Sequence, residues 1–170
     1  MTTLKSFRSN LVLVTSALAL FVLPGCFDSA PKKPTIVVAN VLDKSFFDDA
    51  RVPGSVHVPY GEHEASAVNW DKNAPVVVYC SDYRCTASAS VAKKLMKLGF
   101  TNVMAYEEGM VGWYQAHQKD NQAYPVEGAC QQEYLKGENV KPEGLVHDET
   151  LKIITTEELR ALLVEKGILK

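Results

Sequence analysis

The sequence predicts an α/β fold whose central sheet is mostly parallel and is flanked by helices on both faces. The segment Val76–Tyr79 is a run of β-branched and aromatic residues, typical of a strand that is buried on both faces. Within residues 86–98 apolar residues recur at helical spacing, and Gly99 follows as a C-terminal stop. Strands that alternate with helices at this spacing indicate a mostly parallel sheet.

Local patterns place the individual elements along the chain. In chain order the sequence predicts a strand at Thr35–Leu42, a short helix before the turn at Pro53-Gly54, strands at Val56–Tyr60 and Val76–Tyr79, a helix at Thr86–Leu98 and a strand at Asn102–Tyr106. The chain has 170 residues, of which 46% are hydrophobic and 22% charged, and this composition suits one globular domain. We expect that domain to span residues 35–130.

Residues 131–170 are predicted to form a C-terminal extension that closes with a helix. Thr155 and Glu158 have the spacing of a capping box, which marks a helix N-terminus. Leu159, Leu162 and Leu163 then supply one apolar face. We expect this helix to pack on the domain.

The N-terminal residues have the pattern of an export signal. Lys5 and Arg8 precede an apolar run, Leu11–Leu23, that is shorter than a membrane-spanning helix requires. The run ends in Leu-Pro-Gly-Cys at residues 23–26, which resembles the lipobox of bacterial lipoproteins. The alternative is an ordinary secretory signal that happens to be followed by a cysteine.

The lipobox resemblance implies a signal peptide at residues 1–25 and a lipidated tether at residues 26–34. Cys26 would carry the acyl chains that bind the protein to a membrane. The resemblance further implies a location on the periplasmic face of a bacterial membrane, and Phe27 after the cysteine favours the outer membrane. Loss of Lys5 and Arg8 moves the formal charge from −2 to −4, so we expect no nucleic-acid partner.

The most informative segment for chemistry is the one that follows the strand at Val76–Tyr79. Cys80 stands where this strand ends and a helix is about to begin, among backbone N–H groups that have no intrahelical partner. Such groups stabilise an anion, so the sequence predicts a lowered pKa for the Cys80 thiol. Arg84 adds a positive charge that could hold an oxyanion.

Four segments together resemble the rhodanese-type sulfurtransferases. They are RVPGSVHVPY (51–60), VVVYC (76–80), the segment from Val91 to Ala116 with Gly109 and Trp113, and YPVEG (124–128). The resemblance implies a rhodanese-like fold. It also implies a reaction in which Cys80 takes sulfane sulfur from a small anion such as thiosulfate, or from a persulfide, and passes it to a thiol acceptor.

The resemblance assigns a role to every residue of the segment from Cys80 to Thr86. Cys80 would be the nucleophile and persulfide carrier, in a cradle formed by Ser81, Asp82, Tyr83, Arg84, Cys85 and Thr86. Arg84 would contact the donor anion, and Arg51 is a more distant candidate for that contact. The reaction needs no metal and no organic cofactor, and the four histidines lack metal-ligand spacing.

Two other functions remain open at this stage. Cys85 could act as a resolving thiol that closes a disulfide with Cys80, as in a periplasmic thiol-disulfide protein. The domain could instead be a catalytically quiet module that binds a protein partner in the cell envelope. Cys130 is left without a predicted partner, and Trp113 and Tyr114 are expected to pack in the core.

Overall fold

The computed structural model describes residues 34–145 and 148–170. The predicted signal peptide, the lipidation site Cys26 and residues 26–33 of the predicted tether lie outside the described residues. Within the described ranges, no helix is both long enough and apolar enough to cross a membrane.

A parallel sheet of five strands forms the centre of the fold. The strands are β1 (Val37–Asn40), β2 (Ser55–His57), β3 (Val76–Tyr79), β4 (Val103–Tyr106) and β5 (Lys152–Ile153), in the spatial order β2-β1-β3-β4-β5. Every pairing is parallel. All residues of β1, β3 and β4 are buried, which explains their continuous apolar sequences.

Five α-helices and one short 3-10 helix surround the sheet in the described residues. They are α1 (Lys44–Asp49), α2 (His63–Ala67), α3 (Ala87–Lys97), α4 (Gly109–Lys119), the 3-10 helix Glu133–Lys136 and α5 (Thr156–Glu165). Helix α3 ends at Lys97, and Gly99 adopts a φ of 88°, a conformation that glycine adopts without steric cost.

Alternate residues of the strands point into two separate cores, one on each face of the sheet. In β3, Val76 and Val78 pack against the face that carries α3, whereas Val77 and Tyr79 pack against the other face. Trp113 of α4 and Leu159 of α5 fill that second core. The period of two therefore sends Cys80, the residue after β3, toward the α3 face.

The predicted strands at residues 35–42, 76–79 and 102–106 are confirmed, with the observed ends lying within or at the predicted ones. The second strand is shorter than predicted, because the chain leaves the sheet after His57 rather than Tyr60. The predicted helix at residues 86–98 is confirmed as α3, and Trp113 is fully buried as expected. Sequence patterns missed α2, α4 and β5. The two residues of β5 are too few to show a periodicity.

The capping box of the closing helix is confirmed. The Thr155 side chain accepts a hydrogen bond from the Glu158 N–H, and the Glu158 carboxylate accepts one from the Thr155 N–H at 2.8 Å. The segment before this helix supplies β5, which pairs with β4 at the edge of the sheet. Leu159 and Leu163 are fully buried in the second core. The part of the chain after residue 130 thus contributes to both the sheet and the core.

Replacement of Leu159 by alanine should therefore weaken the whole domain. We expect Leu159→Ala to lower the free energy of unfolding by about 2–5 kcal/mol, because it removes a fully buried side chain and leaves a cavity. Val164→Ala on the same helix, where Val164 is 38% exposed, should change it by less than about 1 kcal/mol. Urea unfolding followed by tryptophan fluorescence measures both values, and equal effects would show that α5 is only loosely attached.

Candidate active site

The candidate site is the loop Cys80–Thr86, here called the cysteine loop, which joins β3 to α3. It leaves the carboxyl end of the central strand. Strand β2 lies on one side of β1, and the next strand along the chain, β3, lies on the other side of β1. The direction in which strands are added to the sheet therefore reverses between β1 and β3. In open parallel sheets, ligands bind beyond the carboxyl ends of the strands at such a switch point.

The first residues of α4 hold the start of the loop. Met110 N–H donates to Cys80 O and Val111 N–H donates to Ser81 O, both at 2.9 Å. Since a trans peptide directs its C=O and N–H to opposite sides, the Ser81 N–H points away from α4 and into the loop. The backbone of this turn is therefore oriented by a helix that begins thirty residues later in the chain.

Gly109 permits this close approach between α4 and the loop. Its φ is +62°, and a Cβ at this position would lie 2.5 Å from the carbonyl carbon and oxygen of Ser81. Any side chain here would collide with the backbone that it has to support. This explains why glycine occupies the first position of α4.

Asp82 and Arg84 shape the middle of the loop. The buried Asp82 carboxylate accepts the Arg84 N–H at 2.8 Å and the Arg84 guanidinium at 3.0 Å, and the Asp82 carbonyl accepts the Cys85 N–H. Burial acts to raise the pKa of Asp82, but the hydrogen bonds from Arg84 outweigh it and lower that pKa. The Arg84 side chain is 69% exposed and is held by Asp82. Its predicted contact with a donor anion stays a prediction.

Cys80 lies inside the protein. It has no exposed surface, its thiol donates to the Cys85 carbonyl at 3.1 Å, and its sulfur lies 3.5 Å from the Ser88 hydroxyl oxygen. A hydrogen bond with the Cys85 thiol, followed by burial, raises the pKa of Cys80 above its ordinary value. The expectation of a lowered Cys80 pKa is therefore wrong. The position at the end of a strand turns this sulfur toward the core on the α3 face, where a hydrogen bond from the Ser88 N–H lowers the pKa but is outweighed.

Cys85 occupies the position that the sequence predicted for the Cys80 thiolate. Interaction with the Cys80 thiol, together with the N–H groups of Ala87 and Ser81 and the Ser81 hydroxyl, lowers the pKa of Cys85 to about 6. The Cys80 hydrogen bond has the largest effect, and partial burial opposes it. Ala87 is the first residue of α3, where N–H groups lack intrahelical partners. The amide cradle of the loop thus surrounds the second cysteine.

A pocket of about 460 Å³ opens beside Cys85 along the outer face of α3. Three residues of the cysteine loop line it: Tyr83, Cys85 and Thr86. The rest of the wall includes Tyr60, Glu107 and three lysines of α3, namely Lys93, Lys94 and Lys97. No sequence motif marks these lysines, although Lys93 and Lys97 stand four residues apart on a predicted helix and therefore share a face.

The remaining predicted residues lie elsewhere or have other partners. Arg51 is paired with Glu127 at 2.9 Å and packs against the Phe47 ring. Cys130 is a free thiol that packs against the second core, on the opposite face of the sheet from Cys80 and Cys85. In the two described ranges, no cluster of three or more His, Cys, Asp or Glu side chains could hold a metal ion.

Comparison with known proteins gives the family of this domain. The model of the rhodanese-like domain matches residues 24–116. The chain belongs to the rhodanese-like family. Its rhodanese-like domain is 32% identical over 86 residues to thiosulfate sulfurtransferase GlpE of Coxiella burnetii, a match that covers 51% of this chain and 78% of that protein. It is 30% identical over 76 residues to the putative sulfur carrier protein YrkF of Bacillus subtilis, covering 45% of this chain and 40% of that protein.

Solved structures similar to this rhodanese-like domain include a rhodanese from E. coli and a protein from Bacillus halodurans. A rhodanese with anions from E. coli has 24% sequence identity and a TM-score of 0.41, with 55% of this chain and 98% of that chain covered. The BH2092 protein from Bacillus halodurans has 22% identity and a TM-score of 0.48, covering 74% of this chain and 77% of that chain. The α/β rhodanese-like fold predicted from the sequence is confirmed.

Cys85 should react with alkylating agents at a lower pH than an ordinary thiol does. We expect Cys85 to be alkylated at half its maximal rate near pH 6, because only the thiolate reacts and its pKa is lowered to about 6. The rate should fall as the pH drops through that value. Cys130 provides an internal control, since burial and then Asp49 raise its pKa. Peptide mapping after iodoacetamide treatment measures each site, and a Cys85 midpoint near that of an ordinary thiol would contradict the described hydrogen bonds.

Proposed function

We propose that this rhodanese-like protein is a sulfurtransferase that moves sulfane sulfur from a donor to a thiol acceptor through a persulfide in the cysteine loop. The observation that carries the proposal is the pair of free cysteines at the carboxyl end of the central strand, where the Cys80 thiol donates to the Cys85 carbonyl at 3.1 Å and the pKa of Cys85 is lowered. Thiolates are the nucleophiles of persulfide chemistry. The Coxiella burnetii relative is named as a thiosulfate sulfurtransferase, which supports the same reaction class.

The proposed reaction has two balanced halves. A loop thiolate attacks the outer sulfur of the donor, a new S–S bond forms, and the donor S–S bond breaks with its electron pair leaving on sulfite or on a thiolate. An acceptor thiolate then attacks the outer sulfur of the enzyme persulfide and regenerates the loop thiolate. Only the sulfane sulfur is transferred from the donor to the acceptor, so the cycle needs no metal and no organic cofactor. The family resemblance assigns the persulfide to Cys80.

The protein chain offers a direct way to test sulfur loading. Arg84 separates the two cysteines, so trypsin releases Cys80 on the peptide of residues 73–84 and Cys85 on the peptide of residues 85–93. We expect the full-length protein, treated with thiosulfate or an organic persulfide and then alkylated, to gain the mass of one sulfur on one of these peptides. The Cys80→Ser/Cys85→Ser double variant should gain none.

Cys130→Ser is the matched control, because Cys130 is a free thiol on the other face of the sheet and should not affect loading. Absence of sulfur gain in the unaltered protein with every donor would overturn the sulfurtransferase proposal. The quiet binding module would then be the function that fits the fold.

The contact between the two thiols also favours a second candidate function, that of a thiol-disulfide protein. Cys80 and Cys85 are both free and hydrogen bond to each other, so oxidation could join them with the loss of two hydrogens. An oxidised small dithiol is the appropriate probe. Failure of the tryptic digest to separate the two peptides after this treatment, reversed by reduction, would support this candidate.

We further propose that the protein is held on the periplasmic face of a bacterial membrane by lipid on Cys26. The support is the sequence of residues 23–26 with the basic and apolar residues before it. Cys26→Ser should move the protein from the membrane fraction to the soluble fraction of the cell envelope. Cys130→Ser should leave it in the membrane fraction. An unchanged distribution of Cys26→Ser would contradict lipid anchoring.

A further inference from the structure

The two cysteines of the loop differ in their access to solvent, and this difference bears on the order of the chemical steps. Cys80 has no exposed surface, and its sulfur is enclosed by the Cys85 carbonyl and the Ser88 hydroxyl. Cys85 is half-buried and lines the pocket beside α3. A donor that enters this pocket therefore meets the sulfur of Cys85 before it can reach that of Cys80.

The hydrogen bonds of the two sulfurs point to the same order. The Cys85 sulfur accepts from the N–H groups of Ser81 and Ala87, so these groups favour its anionic form. The Cys80 thiol donates to the Cys85 carbonyl and is buried, and both favour retention of its proton over the opposing hydrogen bonds from Ser88. Attack on a donor requires a thiolate at the pocket surface. Cys85 lines the pocket and has a lowered pKa, whereas Cys80 has no exposed surface and does not line the pocket.

The walls of the pocket indicate what kind of donor it takes. Lys94 lies with its ammonium 5.3 Å from the centre of the Tyr60 ring, and Lys97 stands one turn of α3 further along. Lys93 is already paired with Asp148 at 2.9 Å. Lys94 and Lys97 therefore supply the positive charge for a ligand, and Glu107 is the acidic residue in the lining.

The pocket is larger than a small inorganic anion needs. Its volume of about 460 Å³ falls in the range of sites for organic ligands, roughly 300–1,000 Å³. Thiosulfate would leave most of this space filled with water. A peptide-sized thiol persulfide with carboxylate groups would fill it and place negative charge near the lysines.

We infer that Cys85 is the thiol that takes sulfur from the donor, and that the donor is an organic persulfide whose carboxylates are held by Lys94 and Lys97. This inference rests on the proposed sulfurtransferase function and names the entry thiol and the substrate class. The Cys85 thiolate attacks the outer sulfur of R–S–SH. The donor S–S bond breaks, R–S⁻ leaves with the electron pair, and Cys85–S–SH forms with no net oxidation.

Sulfur then passes to Cys80 across the contact between the two thiols. The Cys80 proton moves to the Cys85 sulfur as Cys80 attacks the outer sulfur, which gives Cys80–S–SH and Cys85–SH. This exchange reconciles a buried Cys80 persulfide with a donor that approaches from solvent. Cys80 is in this scheme a second carrier that receives sulfur from Cys85.

Peptide mapping tests the entry thiol. The full-length protein is treated briefly with glutathione persulfide, alkylated and digested with trypsin without reductant. We expect sulfur to appear first on the peptide of residues 85–93 and later on the peptide of residues 73–84. Cys85→Ser and Cys85→Ala should both lose more than nine-tenths of the loading, whereas Cys80→Ser should still load Cys85, at a lower rate. Cys130→Ser is the control and should load normally.

The outcomes separate this inference from the proposed function. Loading that persists in both Cys85 variants, or sulfur that appears first on the Cys80 peptide of the unaltered protein, would overturn Cys85 as the entry thiol and leave the sulfurtransferase intact. Loss of loading in Cys80→Ser, with circular dichroism unchanged, would also overturn it. No loading of the unaltered protein by any donor would instead remove the proposed function.

Kinetics test the substrate class. Against glutathione persulfide, Lys94→Gln/Lys97→Gln should raise KM about three- to tenfold with kcat unchanged, as expected for the loss of two partly exposed charge contacts. KM for the uncharged persulfide of 2-mercaptoethanol should not change. Lys44→Gln on α1 is the matched control and should match the unaltered protein. An unchanged KM for glutathione persulfide in the double variant, an equal rise in KM for both persulfides, or transfer from thiosulfate alone, would overturn the assigned donor class.

Discussion

Two main-chain hydrogen bonds, from the N–H groups of Met110 and Val111 to the carbonyls of Cys80 and Ser81, orient the cysteine loop. They fix the direction of the peptide between residues 80 and 81, and so aim the Ser81 N–H at the position where a negative sulfur is held. A single bond of this kind contributes only about 0.5–1.5 kcal/mol to stability. Its importance here is geometric, because the site depends on where the amide points.

The same constraint creates two unlike thiols from two cysteines five residues apart. Cys80 continues the alternation of side chains along β3 and enters the core, where it keeps its proton. Cys85 lies at the start of α3, where N–H groups without intrahelical partners favour the thiolate. An acid and a base of the same chemical type are thus placed in contact by their surroundings alone. Such a pair can transfer sulfur from Cys85, which lines the pocket, to Cys80, which is buried.

The chain beyond residue 130 supports the site as well as the core. Asn139 donates to the Glu108 carbonyl at 2.9 Å, just before α4, and its side-chain oxygen faces the Tyr83 N–H of the loop. Thr156, at the start of α5, donates from its hydroxyl to the Glu108 carboxylate at 2.7 Å. The helix that orients the loop is therefore tied to residues far from it in sequence. This links the stability of the C-terminal segment to the geometry of the cysteine loop.

The sequence by itself determined the strands β1, β3 and β4, the helices α3 and α5, and the loop that carries the chemistry, because these depend on local periodicity and on capping residues. It also placed a stabilised thiolate in that loop. It could not decide which cysteine would hold the negative charge. That choice depends on the direction of two N–H groups and on the burial of one sulfur, and both follow from how α4 and α3 pack around the loop in three dimensions.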